Sequence, residues 1–193
     1  MNLGLTTSFI VAGILLLSIL SMNMNLSQSS TQLTMRQITE TKSNTINEIL
    51  GKDIPNIGYK EIGALPYPIK DAQEGKIKFE GDIDNDGSEE TVIWEYNGSD
   101  NTLTRDVVGG TETTFKNVSN FEIEYLDSNR NTISPSLIST LLGGTKAERD
   151  KIRFIDISYT LQSQEKVGGL GSSNPEYIEV TWQKQFTPLN LRF

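Results

Sequence analysis

The stretch Gly81-Asp-Ile-Asp-Asn-Asp-Gly-Ser-Glu-Glu90 is the one constellation in this chain whose residue types and spacing could do chemistry. Asp82, Asp84 and Asp86 occupy alternate positions, and Gly87 follows where a tight turn is needed. Ser88 can offer its carbonyl, and Glu90 falls at the ninth position counted from Asp82. Alternate carboxylates on a turning backbone converge on one point, which suits a hard cation that takes oxygen ligands. The pattern predicts calcium held as a structural ion by Asp82, Asp84, Asp86, Ser88 and Glu90. The competing reading is a solvated hairpin loop in which Asp and Gly serve turn geometry alone. The twelfth position is Ile93 rather than a bidentate glutamate, and the residues that follow read as a strand.

The rest of the composition narrows the chemistry further. The chain has no histidine and no cysteine. The commonest general base, the thiolate nucleophile, the Ser-His-Asp triad, the His-based zinc site and the disulfide framework are therefore out of reach. Glu122 and Glu124 lie two apart on one predicted strand face and are expected to face water. Trp94 and Trp182 read as sheet aromatics rather than a sugar platform, and the glycines of Val167 to Pro175 do not lead from a strand into a helix, as a phosphate loop would. No enzyme is expected. A net charge of −8 leaves no basic stripe for phosphates, so nucleic acid is not an expected partner.

The elements that must hold the acidic loop begin with the N-terminus. Met1 to Met35 contain no Asp, Glu, Lys or Arg, although these make up 22% of the whole chain. The apolar centre, Phe9-Ile-Val-Ala-Gly-Ile-Leu-Leu-Leu-Ser-Ile-Leu20, extends to roughly 18 residues with Leu5 and Met22, enough for a helix to cross a ~30 Å hydrocarbon layer. From Ser27 to Leu50 there is no Pro or Gly, and Met35, Ile38, Ile46, Ile49 and Leu50 fall near one helical face. One helix of about 45 residues is predicted, with residues 1–26 in the membrane and residues 27–52 amphipathic, far above the usual ~11–12. Its expected stops are Gly51, as a left-handed cap, and Pro55.

Residues 53–193 read as a β-rich domain. Asn56 to Gln73 looks irregular. Strands are predicted at Lys76–Phe79, Glu90–Tyr96, Thr102–Val108, Val118–Leu126, Ile152–Leu161 and Tyr177–Phe186, with Asn97-Gly98 as a hairpin turn. Thr145 to Asp150 reads as a helical turn or a lead into the next strand. The expected class is α+β: the distal half of the long helix packs on an antiparallel sheet of about five or six strands, because a sheet with one apolar face must bury it.

The stretch Ile49-Leu-Gly-Lys-Asp-Ile-Pro-Asn-Ile-Gly-Tyr59 resembles the helix end of type IV pilin-like proteins, in particular the minor pilins of the PilW type and the minor pseudopilin J of type II secretion. Phe79-Glu-Gly-Asp-Ile-Asp-Asn-Asp-Gly87, Leu103-Thr-Arg105, Asn117-Val118, Phe121, Tyr125-Leu-Asp127 and Phe186-Thr-Pro-Leu-Asn-Leu191 extend the likeness. The resemblance implies a structural subunit in the bacterial inner membrane, single-pass, with its globular domain periplasmic or extracellular. Its partners would be other pilin-like subunits, met through the N-terminal helix. It also implies processing between Gly4 and Leu5. Phe9 would then be the fifth residue, where most such proteins carry Glu, which points to a rare or capping subunit. The alternative is a signal-anchored extracytoplasmic binding domain that joins no filament.

Overall fold

The computed structural model describes residues 3–60, 67–168 and 174–191. The expected α+β class is what the chain adopts. Helix α1 runs from Leu3 to Asp53, 51 residues without a break. It tolerates many serines and threonines because their hydroxyls bond back along the helix; Ser18 Oγ, for example, donates to the Ile14 carbonyl at 2.9 Å. A hydroxyl satisfied in this way leaves no orphan donor among the apolar residues around it.

Gly51 is not the cap. It is helical, and the left-handed residue is Gly58, with φ +74°. Between them the chain makes a further turn, Ile54 N–H bonding the Leu50 carbonyl at 3.1 Å, because Ile54 and Ile57 are drawn into the core.

Among the described residues eight strands follow, all antiparallel, in two sheets rather than one. The first sheet holds β1 (Ile69–Gln73), β2 (Lys76–Gly81), β3 (Glu90–Asn97), β4 (Thr102–Val107) and β5 (Glu112–Lys116), in that order. The second holds β6 (Val118–Leu126), β7 (Phe154–Gln162) and β8 (Glu179–Phe186). A single residue, Asn117 at φ +68°, turns the chain from β5 into β6. β2, β3 and β4 pair in chain order as an antiparallel meander, whereas β6 pairs with β7 in the second sheet. Two short helices, α2 (Pro135–Ile138) and α3 (Lys146–Arg149), lie between β6 and β7.

The sheets meet through side chains and backbone. The Tyr125 hydroxyl donates to the carbonyls of Gln73 and Lys76, Ile123 N–H donates to the Glu74 carbonyl at 2.7 Å, and the Tyr96 hydroxyl donates to the Ser119 carbonyl. The distal half of α1 lies against both sheets. Ile46, Leu50, Ile54 and Ile57 enter one core with Phe79, Val92, Trp94 and Leu103 of the first sheet and Ile155, Ile157, Tyr159 and Leu161 of the second. The buried face is turned from the expected one: Ile38 is 46% exposed, whereas Thr39 and Ser43 are buried. Two polar side chains therefore sit where an apolar stripe was expected, and both have partners.

Candidate functional site

The acidic loop connects β2 to β3, and the pair Gly81 and Glu90 closes its base. Its position is fixed by the chain leaving α1. Gly58 N–H donates to the Glu80 carbonyl at 2.9 Å, and Asp82 N–H donates to the Tyr59 carbonyl at 3.0 Å. Gly81 lies so close to the Asn56 carbonyl that a Cβ at this position would collide with backbone. Glycine is needed here for close approach rather than for a special φ.

Within the loop the carboxylates fold the backbone around themselves. Asp82, only 1% exposed, accepts from Asp86 N–H at 3.2 Å and from Gly87 N–H at 3.1 Å. Asp84 accepts from the same Asp86 N–H at 3.1 Å, and Asp86 accepts from Ser88 N–H at 2.7 Å. Asn85 at φ +63° and Gly87 at φ +89° supply the left-handed turns. Oxygens of Asp82, Asp84 and Asp86 lie within 4.8 Å of one another. Calcium ligands at 2.3–2.6 Å from the ion can be separated by up to about 5 Å, so the triad has the span that such a cation requires.

Glu90 stands on the other arm. Its carboxylate accepts from Ile83 N–H at 2.9 Å. Burial, with the negative charges of Asp84, Asp86 and Asp82, holds its carboxyl above the usual range, against the opposing pull of Ile83 N–H. A carboxylate crowded in this way gains from a divalent cation nearby. The structure thus brings Asp82, Asp84 and Asp86 together, sets Glu90 beside them on its own bond, and ties Ser88 in through its N–H. Lys60 pairs with Glu89 at the rim.

Gly4 lies exposed in the first turn of α1, where its carbonyl accepts from the hydroxyls of Thr7 and Ser8. The backbone of Leu5 is helical, and Met1 and Asn2 lie outside the described residues.

Two polar knots hold the scaffold, and neither was singled out from residue type and spacing. Asp53, at the last position of α1, accepts from Trp94 Nε1 at 2.8 Å and from Arg105 Nε and Nη2 at 2.6 and 2.9 Å. It is buried and joins helix to first sheet through a two-pronged ion pair. On the second sheet, the Tyr159 hydroxyl donates to Asn47 Oδ1 at 2.5 Å and lies 2.9 Å from Ser43 Oγ. Burial raises this phenol to about 12, so it stays neutral and acts as a hydrogen-bonding clamp.

The motif from Leu50 to Tyr59 acquires a physical account. Asp53 takes the ion pair, Ile54 enters the core, Gly58 adopts the left-handed turn against Pro68, and Tyr59 receives the first residue of the acidic loop. Trp94 is fully buried, while Trp182 packs on Tyr159 and Phe186 at the edge of the second sheet. Glu122 and Glu124 are exposed beside a cleft of about 430 Å³ and are bonded to Asn120 and Thr132 rather than to each other. No family model, no curated protein and no solved structure matches the chain.

Proposed function

We propose that this chain is a membrane-anchored, pilin-like structural subunit, a minor pilin or pseudopilin of a type IV pilus or type II secretion filament, with no catalytic role. The observation that carries the reading is the first half of α1. Its apolar residues from Phe9 to Leu26 stay between 45 and 70% exposed wherever a large side chain stands, so the described residues of the chain's own β domain bury none of them. A run this apolar, standing free of its own domain, needs lipid or other helices around it. Because it continues without a break into the buried half, any force on one half is transmitted to the other, as suits an assembly rod.

In this reading the N-terminal half packs with other pilin-like helices, first in the bacterial inner membrane and then in the filament. The β domain lies in the periplasm or outside the cell, Gly4–Leu5 is the processing point, and Phe9 suits a capping position. The acidic loop holds calcium as a structural ion through Asp82, Asp84, Asp86, Ser88 and Glu90, neutralising carboxylates that otherwise repel. The residues fit the ion through the short separation of the three aspartate oxygens and the crowding of Glu90.

N-terminal sequencing of the protein purified from membranes of its native host tests the reading. A start at Leu5 is expected. An intact Met1 would favour the second reading, an anchored binding domain outside any filament, whose acidic loop would be its recognition element. Cleavage between Ser21 and Ser27 would remove the membrane helix and overturn both.

A further inference from the structure

We propose that Asn97, at the tip of the β3–β4 hairpin, is a site of spontaneous deamidation and backbone rearrangement in the folded protein. This inference is independent of the filament reading. Asn97 is the only asparagine in the chain that precedes glycine, and both residues are exposed. Its side chain is held forward over the following peptide: Oδ1 accepts from Ser99 N–H at 3.0 Å, and Nδ2 donates to Asp100 Oδ2 at 2.8 Å. The bond to Ser99 polarises the amide carbonyl in the sense of an oxyanion donor, and holding the side chain in the turn restricts it to fewer conformers. The bonds that close the turn come from the amides of Ser99 and Asp100 and leave the Gly98 nitrogen out. The Asp86-Gly87 pair of the acidic loop is a useful contrast, because there the glycine N–H is engaged by Asp82 at 3.1 Å.

The chemistry needs only water. The Gly98 nitrogen loses its proton to solvent base and attacks Asn97 Cγ. The Cγ–Nδ2 bond breaks, ammonia leaves with a proton taken from water, and a five-membered succinimide remains. Water then opens either imide carbonyl, giving aspartate or isoaspartate at position 97. Both products remove the donor that Asp100 now binds and set two carboxylates side by side. Isoaspartate also adds a methylene to the main chain at the end of β3, opposite Thr102, where register is set by the turn.

The test is incubation of the purified full-length protein in detergent at neutral and mildly alkaline pH. Peptide mapping follows, with an isoaspartyl methyltransferase as the probe. A more acidic species with isoaspartate at position 97 is expected, forming faster at the higher pH. Gly98→Ala is expected to slow it by roughly tenfold or more, since a side chain at the attacking residue obstructs the approach. This variant keeps the fold, because its Cβ would rest at ordinary contact, 3.5 Å, from the Tyr96 ring. Persistence of the Asn97 amide, or equal rates in the parent and Gly98→Ala, would overturn the proposal.

Discussion

Asp53 is the residue on which the joint between helix and sheet turns. It closes the helix, satisfies the indole of Trp94, and is the ion-pair partner of Arg105, whose side chain is itself only 15% exposed. Replacing Asp53 by Ala leaves a guanidinium and an indole N–H in the interior without their acceptor, and removal of one partner from a buried pair costs about 3–5 kcal/mol. Asp53→Asn keeps an acceptor for Trp94 and is expected to lose less. Urea titration of the two variants should rank them in that order, and equal midpoints would show that the charge, lost in both, carries the whole effect and the retained acceptor none. At the acidic loop the expected effect comes from a ligand. If calcium binds only the folded chain, a concentration 100 times its Kd raises stability by about 2.7 kcal/mol. A melting curve with calcium, repeated after chelation and again with Asp82→Asn, is expected to show the rise in the parent chain alone. An unchanged midpoint on chelation would sink the calcium site.

At the scale of elements, β1 and the loop between α2 and α3 are locked together by charge. Asp71 is buried, which opposes ionisation. The bonds from Thr140, Gln73 and Ala72 outweigh that, so its carboxyl titrates below the ordinary 3.8. A carboxyl lowered by folding contributes stability above its unfolded value, and this is lost as pH falls through the folded one. Stability is therefore expected to decline below about pH 4, and Asp71→Asn should flatten that part of the curve in denaturant midpoints measured from neutral to acid pH. The same strand marks the limit of sequence reading. Val118–Leu126 could be read residue by residue, because Phe121, Ile123 and Tyr125 are buried and their neighbours face water. In β1 a buried aspartate stands where an apolar residue would announce a strand, and β5, Glu-Thr-Thr-Phe-Lys, is an edge strand with little to bury. Both were hidden for that reason, and with β5 hidden the division into two sheets was hidden too. The clustering of the acidic triad was legible because its three carboxylates lie within a few residues of one another. The knots at Asp53 and Tyr159 were not, because they join positions 52 and 112 residues apart.

For the whole molecule, the question is whether α1 is one structural unit or two joined end to end. Its backbone is continuous, but its surroundings divide it: none of the large apolar residues from Phe9 to Leu26 is buried, whereas Thr39, Ser43, Ile46, Leu50 and Asp53 are enclosed by the sheets. The free half adds no burial to the fold, and helices in isolation gain little from length alone. A chain beginning at Gln28 is therefore expected to keep the two sheets and the knots at Asp53 and Tyr159. Its unfolding free energy should lie within about 0.5 kcal/mol of the full chain, the range of surface changes. It should also remain in the aqueous phase, whereas the full chain enters membranes or detergent. The comparison needs urea titration of both chains in the same mild detergent, with phase partition measured alongside. A truncated chain that fails to fold would mean that the N-terminal half stabilises the domain in ways that burial does not reveal. A full chain that stays in the aqueous phase would remove the physical ground for a membrane anchor, and with it the assembly role.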